Sequence, residues 1–231
     1  MIDGILFDKD GTLFDFSLSW CGWATRLLDE LSVDEDHAHR LAQAIGYDAA
    51  TASFAPTSPV ISATAADIAA ALLPQLPGRG LADVVDQINT LAEGAPMAEA
   101  VPLIPLLSAM RARGLRLGVA TNDTEAPARA HLDAHGITGF FDFVAGYDSG
   151  YGPKPGPGMC LAFARSLSLD PARVVMVGDS LHDLEAGRAA GMRTVAVLTG
   201  VARHADLVAH ADIVLPDIGS LSGWLDTLSP N

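Results

Sequence analysis

From Val101 onward, short apolar runs alternate with segments of helical period, and that alternation leaves the chain few possible folds. Residues 115–120, 143–145, 174–177, 194–198 and 213–215 read as strands. Residues 104–113, 126–135, 158–167 and 181–190 read as helices, with Gly114, Gly136 and Gly191 standing where helices stop. Strands that are apolar on both faces must be covered on both faces, so the pattern predicts a doubly wound α/β core built on a parallel sheet. Ile5-Leu6-Phe7 supplies one more strand at the start of the chain.

Residues 14–95 follow a different pattern. Trp20, Trp23, Ala24, Leu27, Leu28 and Leu31 recur at three- and four-residue intervals and predict a helix starting near Ser17 or Ser19. A second helix is expected over 34–45, broken by Gly46, with His37 and His39 on its solvated face. Pro56 and Pro59 mark a loop. Thr64-Ala65-Ala66-Asp67 has the form of a capping box before a third helix, and a fourth is expected over 81–91. No strand is legible here. The expected organisation is therefore an α/β core of residues 1–15 and 96–231, with an all-helical cap of residues 16–95 inserted after the first strand.

Charge narrows the partners. With 28 acidic against 14 basic residues the net charge is −14, a field that repels nucleic acid and anionic membranes. No apolar run is long enough to span a bilayer. Met1 leads into the first strand without room for a signal segment, so a cytoplasmic protein is expected. Cys21 and Cys160 make neither a disulfide framework nor a metal-ligand spacing and read as reduced packing residues. A small anion, such as a phosphorylated metabolite, remains a suitable ligand where a cation and a few basic groups reverse the field locally. Oligomeric state is left open.

Polar residues collect where the strands end or in loops beside them: Asp8 with Asp10, Thr121-Asn122, Lys154, and Asp179 with Asp183. In a parallel sheet these fall on one edge, where open α/β sheets bind ligands. Two carboxylates ending a buried strand are costly unless a cation or a proton compensates them. The set fits phosphoryl transfer, with Asp8 attacking to form an aspartyl-phosphate and Asp10 carrying the proton. Mg²⁺ would be held by Asp8, Asp179 and the backbone carbonyl of Asp10. Each position also has a structural explanation: an Asp-Gly turn at Asp10, a helix cap at Asp179, an ordinary loop lysine at Lys154. Asp183, one helical turn beyond Asp179, favours metal binding over capping.

Taken in order, Asp8-Lys9-Asp10-Gly11-Thr12, Thr121-Asn122, Lys154-Pro155 and Gly178-Asp179-Ser180-Leu181-His182-Asp183 resemble the motifs of the haloacid dehalogenase superfamily. The resemblance covers nearly the whole chain and is to the phosphatases with an inserted helical cap, similar to phosphoglycolate phosphatases. It implies Asp8 as nucleophile, Asp10 as general acid then base, Thr121 with Asn122 on the phosphate, and Lys154 as charge stabiliser. It further implies Asp179 on Mg²⁺ directly, and Asp183 either directly or through water. Lys9 is a departure, since the family often has an apolar residue there; strand alternation is expected to point it away from the nucleophile, with no catalytic part. Lys9 and Lys154 are the only lysines, so the cap cannot supply the Schiff-base lysine of a phosphonatase.

The expected function is Mg²⁺-dependent hydrolysis of a small phosphate monoester. A phosphomutase of the same family and a catalytically silent phosphate-binding module are the alternatives. His182, His204 and His210 read as surface or packing residues, and Trp20 and Trp23 as cap core. Arg26, Arg40 and Arg79 are the only cations of the cap. A carboxylated substrate needs Arg26 or Arg40 on the crevice; without that, Phe16, Trp20 and Trp23 would select a less charged leaving group.

Overall fold

The computed structural model describes residues 2–228. β1 (Gly4–Phe7) is wholly buried. After it come α1 (Phe16–Leu31), α2 (Glu35–Ala44), β2 (Tyr47–Asp48), β3 (Ser53–Phe54), α3 (Ala65–Leu72) and α4 (Leu81–Glu93). The alternating part then runs α5 (Leu103–Ala112), β4 (Arg116–Ala120), α6 (Glu125–Ala134), β5 (Phe143–Ala145), α7 (Gly158–Ser166), β6 (Val174–Gly178), α8 (Leu181–Ala189), β7 (Arg193–Val197), α9 (His204–Leu207), β8 (Ile213–Leu215) and α10 (Leu221–Thr227). No described helix is long and apolar enough to cross a membrane.

Six strands form one parallel sheet in the order β5-β4-β1-β6-β7-β8. The chain builds outward from β1 through β4 to β5, then returns to the other side of β1 for β6, β7 and β8. Strand order thus reverses at β1, a switch point of the kind at which open α/β sheets form their ligand crevice. Phe7, the last residue of β1, is level with Val119 and Val177, and β4 and β6 each run one residue further. Alternate residues of these strands enter opposite layers: Ile5, Phe7, Val119 and Val177 pack with α5 and α10, and Leu6, Ala120 and Met176 pack with α7 and α8. This is the doubly wound α/β core predicted from the apolar runs.

The segment between β1 and α5 packs on itself, with Trp23, Leu27, Leu41, Leu72 and Val84 in a separate apolar cluster. The chain leaves and re-enters the core side by side. Asp15 N–H donates to the Ala98 carbonyl (2.8 Å) and Ala100 N–H to the Leu13 carbonyl (3.0 Å). α1 begins at Phe16 rather than at Ser17 or Ser19, because the Asp15 carboxylate accepts from Leu18 N–H (2.9 Å) and caps it. The capping box at Thr64 and Asp67 forms as expected.

Two expectations for this segment are corrected. It is not all-helical: β2 and β3 form an antiparallel hairpin pairing Tyr47 with Phe54, in which Tyr47 and Phe54 are buried. His37 does not lie on a solvated face; it is buried and its Nε2 is 2.7 Å from the Gln75 carbonyl, while His39 is exposed.

Candidate active site

Asp8 follows β1 directly, and Thr121 after β4 and Asp179 after β6 stand one step further along the same edge. Asp8, Thr121, Asp179 and Asp183 are all buried, as is Lys154 from the loop before α7. Asp8, Asp179 and Asp183 each present a carboxylate oxygen within 4.8 Å of the others. Lys154 Nζ bridges two of them, donating to Asp8 Oδ1 (2.5 Å) and Asp183 Oδ1 (2.6 Å), and its third hydrogen goes to the Ala120 carbonyl (2.8 Å).

Burial of so many charges is felt by each group. It pushes the Asp8 carboxyl up to about 7, against the pull of Lys154. Burial, and then the neighbouring Asp8 and Asp183, hold Asp179 well above the carboxylate range. For Lys154 burial works downward, but Asp183 and Asp8 outweigh it and keep the ammonium charged. Were all three carboxylates ionised beside the one ammonium, the net charge would be −2, which a divalent cation would neutralise.

Three observations test that fit. Asp179 Oδ2 is buried without any hydrogen-bond partner, a costly state for a carboxylate unless a cation completes it. Glycine makes room for this carboxylate to lie where it does: a Cβ on Gly200 would lie 1.7 Å from Asp179 Oδ2, and one on Gly11 2.5 Å from the same atom. Gly11 also has φ +83°, where a side chain is strained in any case. The donor set is all oxygen, which suits a hard divalent cation. Asp183 is the exception within the triad, because Oδ1 is taken by Lys154 and Oδ2 by the Ser180 N–H (3.0 Å) and hydroxyl (2.6 Å). It serves as the N-terminal box of α8 and as the second anchor of Lys154.

Asp10 stands outside this triad but lines the same crevice. Its Oδ1 accepts from Lys9 Nζ (2.6 Å) and from the Trp20 indole N–H (2.8 Å) on α1. Lys9 does point away from Asp8, but it lies on Asp10. It is fully buried, 3.4 Å from Asp123 Oδ2, 3.1 Å from His131 Nδ1 and 5.2 Å from the Trp20 ring centroid. Burial tends to lower the Lys9 ammonium, and Asp10 and Asp123 outweigh it and hold it above its ordinary range. Asp123 is raised by burial to about 6. His131 Nε2 reaches the Ala92 carbonyl (2.7 Å) in α4, so with Nε2 donating, Nδ1 is free to accept from Lys9.

Lys9, Asp123 and His131 were not read as site residues from the sequence. The consecutive Thr121-Asn122-Asp123 at a strand end was the only local signal for any of them. Asn122 has no N–H left to donate to an anion. Its Nδ2 donates to the Ser62 (2.7 Å) and Lys154 (2.9 Å) carbonyls and its Oδ1 accepts from Lys154 N–H (2.8 Å), which fixes the Lys154 loop. Thr121 Oγ1 accepts from Asp123 N–H (3.0 Å) and keeps a hydrogen to donate. Trp20 and Trp23 are core residues of the helical segment, as expected, and both also line the crevice. His182 lines it as well, with Nδ1 3.1 Å from the Ser62 carbonyl, whereas His204 is exposed.

The crevice holds about 620 Å³ of empty space, part of it open to solvent, with the acids and Lys154 at its floor. Its arrangement brings a lysine-bound carboxylate, an unpaired acid and a separate, oriented carboxylate to one strand edge. Among curated proteins, the chain is 38% identical over 127 residues to a phosphoglycolate phosphatase of Rhodospirillum rubrum, covering 55% of this chain and 53% of that protein. It thus matches only about half the length of that relative. A phosphoglycolate phosphatase of Aquifex aeolicus is 28% identical over 85% of this chain and 84% of its own. Among solved structures, a β-phosphoglucomutase from Clostridium difficile superposes with a TM-score of 0.69 at 16% identity, covering 98% of this chain and 96% of that one, which is a likeness of fold. The model of the haloacid dehalogenase-like hydrolases matches residues 2–191, the stretch from the first strand through α8 that carries every group at the crevice floor, and the chain belongs to that family.

Proposed function

We propose that this chain hydrolyses small phosphate monoesters in two steps through a phosphorylated Asp8, with Mg²⁺ as its metal. The observation that carries this reading is Asp179 Oδ2, buried and unpaired beside an Asp8 that is itself held by Lys154 at the end of the central strand. Asp8 and Asp179 would hold the metal, with Asp183 supporting from behind through Lys154 and the backbone carbonyl of Asp10 as a further oxygen donor. Mg²⁺, when bound, supplies positive charge that offsets the repulsion between a carboxylate nucleophile and an anionic phosphoryl group.

In the first step an Asp8 oxygen attacks phosphorus, the P–O bond to the leaving group breaks, and Asp10 gives that oxygen a proton. In the second, Asp10 takes a proton from water, whose oxygen attacks the phosphorus on Asp8 and releases orthophosphate and free Asp8. Because Lys9 and Trp20 both engage Oδ1 of Asp10, Oδ2 is the oxygen left for the proton. Thr121 would donate to a phosphoryl oxygen, and Lys154, held on Asp8, would offset the charge gathered there, Asn122 acting only by holding the Lys154 loop. Residues 16–95 would close over the crevice and exclude water.

Hydrolysis is favoured over a mutase reaction by the wall opposite the acids. A mutase must hold a second phosphate there, and among the described residues no arginine lines the crevice. Release of orthophosphate from aryl and alkyl phosphates, with and without Mg²⁺, tests the reading. Mg²⁺-dependent multiple turnover is expected; an absence of turnover on every monoester in the presence of Mg²⁺ refutes it.

A further inference from the structure

The charge of the leaving group can be read from the half of the crevice that faces the acids. The wall is apolar, with Trp20, Trp23, Val60, Ile61, Ile68 and Ile88 contributing from the helical segment. The lysines and arginines near this wall are already committed, and His182, which also lines the crevice, has its Nδ1 on the Ser62 carbonyl (3.1 Å), which leaves Nε2 an acceptor in that neutral tautomer. All three Lys154 hydrogens go to Asp8, Asp183 and the Ala120 carbonyl. Lys9 is fully buried on Asp10, Asp123 and His131. Arg26 pairs with Glu30 on the exposed face of α1, Arg79 donates to Gln87 (2.8 Å), and Arg40 is exposed; none of the three lines the crevice.

The helix end in this wall is also taken. At the N-terminus of α3 the Asp67 carboxylate accepts from Thr64 N–H (3.0 Å) and hydroxyl (2.7 Å), so the protein's own anion occupies the position a substrate carboxylate would seek. A carboxylate entering this half would be desolvated against apolar side chains, facing Asp10 and Asp123, without a counterion of its own. One neutral donor does await a partner: the buried indole N–H of Trp23 has none. A neutral acceptor on the leaving group, such as an ester or ether oxygen, would satisfy it without bringing charge.

We propose that the substrates are phosphate monoesters of uncharged, largely apolar alcohols, and that the crevice discriminates against carboxylated phosphates such as phosphoglycolate. The proposal rests on the phosphatase reading above. It is tested with phosphoglycolate and its neutral methyl ester, which share a carbon skeleton and differ in charge, with n-propyl phosphate and 4-nitrophenyl phosphate alongside, all with Mg²⁺. The methyl ester and propyl phosphate should exceed phosphoglycolate in kcat/KM by roughly tenfold or more, the scale of one unmatched charge at a recognition site. Equal or better turnover of phosphoglycolate overturns the proposal and leaves the phosphatase reading standing. No turnover of any of the four, the activated aryl phosphate included, overturns both. Ile61→Arg, at a partly buried position of the wall, places a guanidinium where the structure has none. It should shift the ratio at least severalfold toward phosphoglycolate; an unchanged ratio in the folded variant would count against the leaving group lying on this wall.

Discussion

Replacing Lys9 by Met keeps the length of the side chain and removes one buried ammonium. Lys9 has 0% side-chain exposure, and its two carboxylate partners only 15% for Asp10 and 11% for Asp123, so neither recovers much hydration when the ammonium is lost. Breaking one side of a buried ion pair costs about 3–5 kcal/mol. Asp123 limits that loss, because burial already places it at about 6 and without Lys9 it rises further. In the variant it takes up a proton as pH falls, and the charge left unpaired disappears. Urea denaturation at about pH 8 should therefore show a deficit of about 3 kcal/mol or more, shrinking toward about pH 5.5. In an Asp123→Asn background the same Lys9→Met change should cost less at about pH 8 than in the natural chain. A deficit under about 1 kcal/mol at pH 8, or one equal at both pH values, would refute the idea that Lys9 is held by these charges.

Three further outcomes follow from the geometry. Gly200→Ala drives a methyl group into the Asp179 carboxylate and should weaken Mg²⁺-induced thermal stabilisation by roughly tenfold in half-saturating concentration, measured relative to the variant's own, lowered metal-free melting temperature; an unchanged Mg²⁺ dependence would deny Asp179 a part in holding the metal. Trp20→Phe removes the indole N–H from Asp10 and should lower kcat severalfold for alkyl phosphates, which need leaving-group protonation, more than for 4-nitrophenyl phosphate; equal losses would deny Trp20 that role. His131 is lowered from 6.5 to about 4, chiefly by burial and then by Lys9. Both folded and unfolded chains hold it neutral above about pH 7, and below its ordinary value only the unfolded chain takes the proton. Stability should thus fall by on the order of 3 kcal/mol between about pH 6.5 and pH 4, and a His131→Gln variant should lack that component in denaturant melts.

The acids at the crevice floor were legible because a parallel sheet sends every strand end to one edge, so Asp8, Thr121 and Asp179 needed only the apolar run before each of them. Lys9 was legible only in direction. Alternation turns it from Asp8, but what it meets is set by Asp123 and by a histidine 122 residues away. Gly200 is marked by nothing local, and its meaning comes from Asp179 folding against it. The β2–β3 hairpin escaped because strands of two residues are too short to show a period. α9 and α10, of four and seven residues, escaped for the same reason. Spacing and the family resemblance put Asp183 at the metal directly or through water without deciding between the two; the structure adds that both its oxygens already hold Lys154 and Ser180.

The central claim is that Asp8 carries the phosphoryl group. The direct measurement uses Asp10→Asn, which retains the nucleophile and slows the water step, mixed with 4-nitrophenyl phosphate and Mg²⁺ and quenched in acid within the first turnover. Peptide mass spectrometry should find the mass of one phosphoryl group on the peptide containing Asp8, in an amount matching the burst of released nitrophenol. Nitrophenol release with no phosphoryl group on the protein, or with the group on a residue other than Asp8, would contradict the account.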